Sequence, residues 1–316
     1  MPRGCVWPER ATVRSLLTRH LVGTGVELGP GHEPFPVPFG ATAVAYVDRW
    51  TAAENAARFP ELGGPSAFAG PDLVCDLDVD RLKPLGDGSQ DFVIASHVLE
   101  HVADPLGLLD EVHRVLRPGG SVVILLPDRR RTFDAGRPPT TVEHLVDHHT
   151  RGITEVDDDH IREYISFVEP PAVRAAFAAA SPEEQQTMLA AQRERSIHAH
   201  CWQEDEFAAV LVHAVAALGH EWELVDGLVA DDEGPDGVEF GYVLRRDSVA
   251  GRLSPSERAA RFAAVWDAWV ACRRDWLAEV RNLHAATEAQ RLKGWSGALK
   301  DVARPVVDPV RQVLGR

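Results

Sequence analysis

Glycines and carboxylates follow short apolar stretches early in the sequence, in an arrangement that can bind a nucleoside. The loop Glu27-Leu28-Gly29-Pro30-Gly31 ends the first stretch, and Asp48 ends the next one about 20 residues later. A glycine turn between a strand and a helix lets backbone approach a ligand and leaves helix N–H groups free to face its polar atoms. A carboxylate at the second strand end can accept both hydroxyls of a ribose. Together they predict a site for a nucleoside-containing cofactor.

Two later strand ends extend this cofactor site. The stretch Asp76-Leu77-Asp78 ends a third strand, and either Asp76 or Asp78 can supply a carboxylate to an adenine amino group. Ser96-His97 ends a fourth strand and is expected to border the other end of the cofactor. Pro34 stands where a GxGxxG dinucleotide motif has its third glycine. The pattern therefore favours S-adenosylmethionine (SAM) over a nicotinamide dinucleotide.

Histidines supply the candidate general bases, since imidazole takes up protons near neutral pH. Three lie in a polar insertion, His144 and the pair His198 and His200, and His101 lies in a Leu-Glu-His sequence upstream. The spacing of His144 and His148 lacks the acidic residue of an HExxH metal motif, so no metal ion is expected.

Asp128 and the three arginines at 129–131 follow the fifth apolar stretch. They are candidates to bind an acidic or hydroxylated acceptor, and the alternative is a solvated loop.

The positions of these residues require a parallel sheet with helices on both faces. Five buried strands are predicted, at residues 25–28, 44–47, 73–75, 92–95 and 121–126. A helix between the last two begins after Asp104 and ends at Pro118-Gly119-Gly120. Strands at 222–229 and 238–244, joined by the turn residues 234–237, predict a closing antiparallel hairpin.

Four regions are expected along the chain: a cofactor-binding core (1–127), an inserted substrate lid (128–205), a closing helix and hairpin (206–248), and a helical C-terminal extension (249–316). The extension begins with a capping box at Ser254 and has an apolar face that must pack on the domain or on a second subunit, so a homodimer is one expectation. That face comprises Phe262, Val265, Trp266, Trp269, Trp276, Val280 and Leu283.

Composition narrows the class of partner. The 316 residues carry a net charge of -15, which disfavours nucleic acid and suits a neutral or cationic small molecule. The four cysteines are widely scattered and show no zinc or disulfide spacing. The first residues have no apolar leader and no stretch is long enough to span a membrane, so no stable membrane insertion and a cytoplasmic location are expected.

Five segments of the chain resemble the class I SAM-dependent methyltransferases with a methyltransferase type 11 domain, over roughly residues 20 to 245. They are GVELGPGHEPFPVP (25–38), AYVDRW (45–50), SQDFVIASHVLEHVADP (89–105), RVLRPGGSVVILLPDRRRTFD (114–134) and RPPTTVEHL (137–145). The resemblance implies a Rossmann-like fold and SAM binding by Glu27, Gly29, Gly31, Asp48, Asp78 and residues near Ser96. The sequence departs from many relatives at Glu33 and Pro34, where they keep small residues.

The PFPVP and PDRRRTFD pieces look like a subgroup associated with glycan and natural-product pathways. The first hypothesis is therefore O-methylation of a sugar, a glycosylated metabolite or another hydroxylated small molecule. N- or C-methylation of a natural product stays open. A nucleotide-dependent oxidoreductase and a non-catalytic SAM-binding module are the hypotheses from other classes.

Overall fold

The computed structural model describes residues 10–37, 42–230, 237–247, 253–275, 277–279 and 282. The chain forms two compact units, Pro8–Asp267 and a smaller unit that combines Met1–Trp7 with Ala268–Arg316. The described residues of the smaller unit are helical. The larger unit contains the sheet and all the candidate site residues.

A seven-stranded sheet runs through the larger unit, in the order β3-β2-β1-β4-β5-β7-β6. Strands β1 to β5 pair in parallel, and β7 lies antiparallel between β5 and β6. The predicted Rossmann-like sheet, with five parallel strands and an antiparallel hairpin at the end, is confirmed. The strands are β1 (Gly23–Leu28), β2 (Thr42–Asp48), β3 (Leu73–Val74), β4 (Gln90–Ser96), β5 (Leu116–Pro127), β6 (Trp222–Leu228) and β7 (Glu239–Arg246).

The central strands are apolar because helices cover both faces of the sheet. Residues 121–127 of β5 are all buried, and Phe92 and Ile94 of β4 pack with Leu125 in the core. The helices are α1 (Arg10–Leu17), α2 (Ala52–Arg58), α3 (Pro105–Val115), α4 (Val142–Arg151), α5 (Asp158–Phe167), α6 (Pro171–Ala179), α7 (Pro182–Glu194) and α8 (Glu204–Ala217).

Helix α3 begins as predicted, because the side chain of Asp104 accepts a hydrogen bond from the Gly107 backbone N–H. Its predicted end at Pro118-Gly119-Gly120 is wrong. The helix ends at Val115 and the chain enters β5 at once, so the proline and both glycines lie inside the strand. Gln90 of β4 pairs with Leu116 and Phe92 pairs with Ser121, so residues 117–120 form a bulge in β5.

Helices α4 to α7 form the segment inserted between β5 and α8. It has a small core of its own, made by Ile161, Ile165, Leu189 and Ile197. The two ends of the insertion meet, since the Arg129 backbone N–H donates to the Trp202 carbonyl over 2.9 Å. The insertion is thus a packed helical layer rather than an open loop.

Residues 255–267 form a helix whose first turn carries the predicted capping box of Ser254 and Glu257. Phe262 and Trp266 are buried, but Val265 is 40% exposed, so its predicted place on the buried face is wrong. Positions four apart share a helix face more closely than positions three apart, which explains the difference. The turn residues 234–236, together with Trp276, Val280, Leu283 and the tail beyond them, lie outside the described residues. Within the described part, no helix has the length and apolar character needed to span a membrane.

Candidate functional site

A cavity of about 740 Å³ lies against the carboxyl ends of β1, β2, β3 and β4. Parallel strands bring their carboxyl ends to one edge of a sheet, which is where ligands bind in open α/β folds. The structure brings all nine residues predicted to bind the cofactor to the wall of this cavity: Glu27, Gly29, Gly31, Asp48, Asp76, Leu77, Asp78, Ser96 and His97.

The loop after β1 has backbone conformations that favour glycine. Gly29 has φ +56° and Gly31 has φ +52°, values that residues with a side chain rarely adopt. The Gly29 backbone N–H donates to the Val47 carbonyl over 2.8 Å, and the Gly31 carbonyl accepts from the Ala69 N–H over 2.8 Å. The loop is therefore fixed to β2 on one side and to the segment before β3 on the other.

Glu27 presents a buried carboxyl group to the cavity. Its Oε1 accepts a hydrogen bond from the Phe35 backbone N–H over 2.8 Å. Its Oε2 is buried and has no hydrogen-bond partner among the described residues. Burial raises the pKa of this carboxyl to about 7, against the opposing hydrogen bond from Phe35 and the charge of Arg14. A ligand that donates a hydrogen bond here would satisfy Oε2.

Asp48 ends β2 and is held by the residues that follow it. Oδ1 accepts from the Trp50 backbone N–H over 3.1 Å, and Oδ2 accepts from the side-chain amide of Asn55 over 3.5 Å. Burial raises the pKa of Asp48, while these hydrogen bonds oppose the rise. Trp50 and Asn55 also line the cavity, so β2 and the first turns of α2 form one wall.

The structure separates the roles of the two acidic residues after β3. Asp76 shapes the turn, because its Oδ1 accepts from the Asp78 backbone N–H over 2.9 Å and its Oδ2 pairs with Arg49 over 2.8 Å. Asp78 reaches inward, and its Oδ1 accepts from the Ala103 backbone N–H over 2.7 Å. Burial raises the pKa of Asp78 to about 6. Of the two candidate ligands, Asp76 is held in an ion pair with Arg49, whereas Asp78 has the carboxyl whose pKa is raised by burial.

His97 lies at the end of β4 in a left-handed conformation, with φ +55°. Its Nε2 contacts Glu239 over 2.9 Å and its Nδ1 lies 3.4 Å from Glu100. Burial lowers the pKa of His97, but hydrogen bonds and charges from both glutamates outweigh it and raise the pKa to about 9. Arg14 of α1 binds the same Glu239 through two contacts, of 2.9 and 2.7 Å. This network joins α1, β4 and β7 under the cavity.

His101 is the candidate base that reaches the cavity wall. Its Nδ1 contacts the Ile197 carbonyl over 3.0 Å, so Nδ1 carries the proton and Nε2 is left as the acceptor. The ring of His198 lies against it, with ring centres 4.8 Å apart. His198 in turn contacts Asp134 through Nδ1 over 2.6 Å. The structure therefore brings His101 and His198 together, one lining the cavity and one behind it.

His144 and His200 do not line this cavity. His200 is completely buried, and both belong to a separate group of histidines in the insertion. Neither ring reaches the wall of this cavity, and the hypothesis that either residue is the general base stays a prediction. Sequence spacing alone does not show which side of an inserted segment faces the sheet.

The arginine run after β5 is held in ion pairs within the chain. Arg129 binds Glu206 over 2.9 and 2.7 Å, and Arg130 binds both Asp128 and Glu204. Asp128 is fully buried, and neither it nor residues 129–131 line the cavity. Contact of these residues with an acceptor stays a prediction.

Several residues of the cavity wall could not be predicted from motifs in the sequence. Arg14 and the segments 154–156 and 193–197 lie far from the strand ends in sequence, and only the folded insertion and α1 bring them to the cavity. Asn55 had a usable signal, since it follows Asp48 in the first turn of a capped helix. Glu239 is the acidic residue that opens β7.

Comparison with known proteins finds one matching family and several partly similar proteins. Residues 26–124 match the methyltransferase domain family. An uncharacterised 37.1 kDa protein in transposon TN4556 of Streptomyces fradiae is 56% identical over 58 residues, which are 18% of this chain and 17% of that protein. A probable SAM-dependent methyltransferase of Mycolicibacterium smegmatis is 36% identical over 84 residues, or 27% of this chain and 31% of that protein.

These matched segments span less than a third of either relative's length. Among solved structures, a SAM-dependent methyltransferase from Methanosarcina mazei aligns with 72% of this chain and 93% of its own, at 16% identity and a TM-score of 0.36. The family match begins in β1 and extends into β5, so it contains the glycine loop and every strand end that lines the cavity. Over residues 26–124 the chain is therefore similar to the methyltransferase domain family.

Proposed function

We propose that the cavity binds SAM and that the chain transfers its methyl group to a hydroxyl of a small molecule. The observation that carries this proposal is the convergence of nine residues from four strand ends on one cavity. Its volume of about 740 Å³ is within the range of about 300–1,000 Å³ that is usual for ligand pockets. Glu27 Oε2, which has no hydrogen-bond partner within the described ranges, and the left-handed Gly29 and Gly31 suit a polar ligand that approaches the backbone closely.

Each wall would bind one part of the cofactor. Asp48 would accept the ribose hydroxyls and Asp78 would bind the adenine amino group, with Trp50 beside them. Glu27, Ser96 and His97 would border the methionine end. When bound, SAM supplies a methyl group on a positively charged sulfur. Such a transfer is an in-line displacement, so the protein acts mainly by alignment and by exclusion of water.

A hydroxyl acceptor also needs a base, and His101 is placed to be that base. Its Nε2 is the acceptor nitrogen, and burial lowers the pKa of His101, which keeps the ring neutral. Glu100 Oε1 lies 3.8 Å from this nitrogen and would stabilise the imidazolium formed when the proton arrives. His198, fixed by Asp134, would position the His101 ring.

The acceptor would be a sugar, a glycosylated metabolite or a similar hydroxylated compound. The insertion at residues 128–205 would act as its lid, because segments 154–156 and 193–197 already form part of the cavity wall. The net charge of -15 agrees with a neutral or cationic acceptor rather than a nucleic acid. N- or C-methylation needs no change in the cofactor site and is tested in the same experiment.

The test supplies SAM with a labelled methyl group and a panel of acceptors: simple glycosides, phenols, primary amines and β-diketones. We expect methyl ethers from the hydroxyl acceptors. Methyl transfer confined to the amines or the β-diketones would contradict the O-methylation proposal. Binding of SAM without transfer to any of the four acceptor classes would favour a non-catalytic module.

With the acceptor found, His101→Gln tests the base. We expect kcat to fall by about 10²–10⁴-fold, and the acid limb of the pH profile to disappear. The control is His213→Gln, a half-buried histidine of α8 outside the cavity. Turnover of His101→Gln close to that of the control would show that His101 does not take the proton.

A further inference from the structure

Three histidines of the insertion meet at a point outside the cofactor cavity. His144 lies on α4, His160 lies on α5, and His200 lies just before α8. One ring nitrogen of each lies within 4.8 Å of the others. The Nε2 atoms of His144 and His160 are 2.9 Å apart. Three separate elements thus direct imidazole nitrogens at one place.

His200 is the unusual member of this group. It is 0% exposed, and neither of its ring nitrogens has a hydrogen-bond partner among the described residues. A neutral imidazole has one donor and one acceptor, and burying both without partners is costly. His144 and His160 contact each other, whereas neither ring nitrogen of His200 has a hydrogen-bond partner in the part of the chain that the structure describes. A bound ion that accepts an electron pair from an imidazole nitrogen would remove this cost.

Asp157 is a carboxylate that contacts one of these three histidines. Its Oδ1 contacts Nδ1 of His160 over 2.7 Å, which fixes that ring with Nε2 pointing away from the carboxylate. Histidines that bind metals commonly donate their other ring N–H to a carboxylate in this way. The ring of His148 packs against that of His144, with ring centres 4.2 Å apart.

We propose that His144, His160 and His200 bind one divalent transition-metal ion, with Zn²⁺ as the ion that the all-imidazole donor set suits best. Zinc takes imidazole nitrogens at about 2.0–2.1 Å in tetrahedral sites, so ligand nitrogens lie about 3.3 Å from one another. Imidazole ligands suit zinc, copper, iron and nickel rather than magnesium or calcium. The proposal reverses the expectation from the missing HExxH motif, because the ligands come from three elements rather than one helix.

The ion would have a structural role, and it would stabilise part of the wall of the cofactor cavity. None of the three ligands lines the cavity, so the ion would not touch the reacting atoms. The two insertion segments of the cavity wall lie between the ligands in the chain. Residues 154–156 fall between His144 and His160, and residues 193–197 fall between His160 and His200. A metal that fixes the three histidines would fix both wall segments.

The experiment measures zinc directly, on full-length chain without an affinity tag. The protein is stripped with a chelator, titrated with ZnCl₂ by calorimetry, and its metal content is read by elemental analysis after dialysis. We expect one zinc per chain and a melting temperature that rises when zinc is restored. Failure to retain zinc, with equal melting temperatures for stripped and zinc-treated protein, would overturn the proposal. Neither result depends on SAM binding, so the two proposals can fail separately.

Asp157→Asn is the most selective variant. Asparagine can still cap α5, as Asp157 does through the N–H groups of Asp159 and His160, but it removes the charge behind the ligand. We expect zinc affinity to fall by about 10–100-fold, the usual effect of losing such a partner. His220→Gln is the control, since His220 is also buried and also contacts a carboxylate, Asp110. Equal zinc affinity in both variants would contradict the site.

Discussion

Glu27 shows how one residue can serve binding at a cost to stability. It is a buried carboxyl, and one of its oxygens has no hydrogen-bond partner among the residues that the structure describes, so the charged form is disfavoured in the free protein. A cofactor that donates to Oε2 would favour the charged form. The buried Oε2 lowers the stability of the protein without cofactor, and the same atom would increase the affinity for a cofactor that donates to it.

Glu27→Gln tests this through the pH dependence of stability. The pKa is raised from 4.5 to about 7 in the folded chain, so the group contributes stability below pH 4.5 that is lost as the pH rises through 7. The glutamine variant lacks this loss, which for the full shift is on the order of 3 kcal/mol. Relative to wild type, the variant should gain free energy of unfolding between pH 4.5 and 7, measured by urea denaturation.

The control for this pH series is Glu183→Gln, an exposed glutamate in the first turn of α7. It should follow the wild-type curve. A constant difference between Glu27→Gln and wild type across the pH range would show that Glu27 keeps an ordinary pKa.

At the scale of elements, strand ends were the most predictable part of the site. Near-continuous apolar runs with polar residues after them located the cofactor wall, since parallel strands align their carboxyl ends. The prediction for the end of α3 is wrong because Pro118-Gly119-Gly120 has the composition of a turn. In the fold it is an irregular part of β5, between Leu116 and Ser121, the residues that pair with β4. The buried pair of Arg14 and Glu239 was missed because 225 residues separate them.

The pairing of β5 with β7 depends on Gly241. A Cβ atom at this position would lie 2.3 Å from Leu125 Cδ2 and 2.5 Å from the Ile124 carbonyl oxygen. Gly241→Ala should therefore destabilise the chain by about 1–3 kcal/mol, as overpacking usually does. Chemical denaturation measures the change.

Gly70→Ala is the matched control, because a Cβ at Gly70 meets nothing within 4 Å. It should unfold at the wild-type denaturant concentration. If Gly241→Ala unfolds there as well, β7 has freedom to move from β5 and the close approach does not constrain the sheet.

At the scale of the molecule, the sheet is the part that sequence determines best and the insertion the part it determines least. The sheet follows from local apolar runs, and its five parallel strands with a closing antiparallel hairpin are confirmed. The insertion brings its histidines together through packing of α4 to α7, which no short motif encodes. His101 therefore lines the cavity with His198 behind it, whereas His144 and His200 belong to a separate group of histidines. The homodimer predicted through the C-terminal helix stays a prediction.

The most direct test of the account measures the melting temperature of the full chain with SAM, S-adenosylhomocysteine, NADH or NADPH. A ligand at a hundred times its Kd adds about 2.7 kcal/mol, which for a domain of about 250 residues raises the melting temperature by roughly 5–10 °C. We predict this rise with SAM and S-adenosylhomocysteine, and its loss in Asp48→Asn. Stabilisation by NADH or NADPH alone would contradict the central claim that the cavity at the strand ends binds SAM.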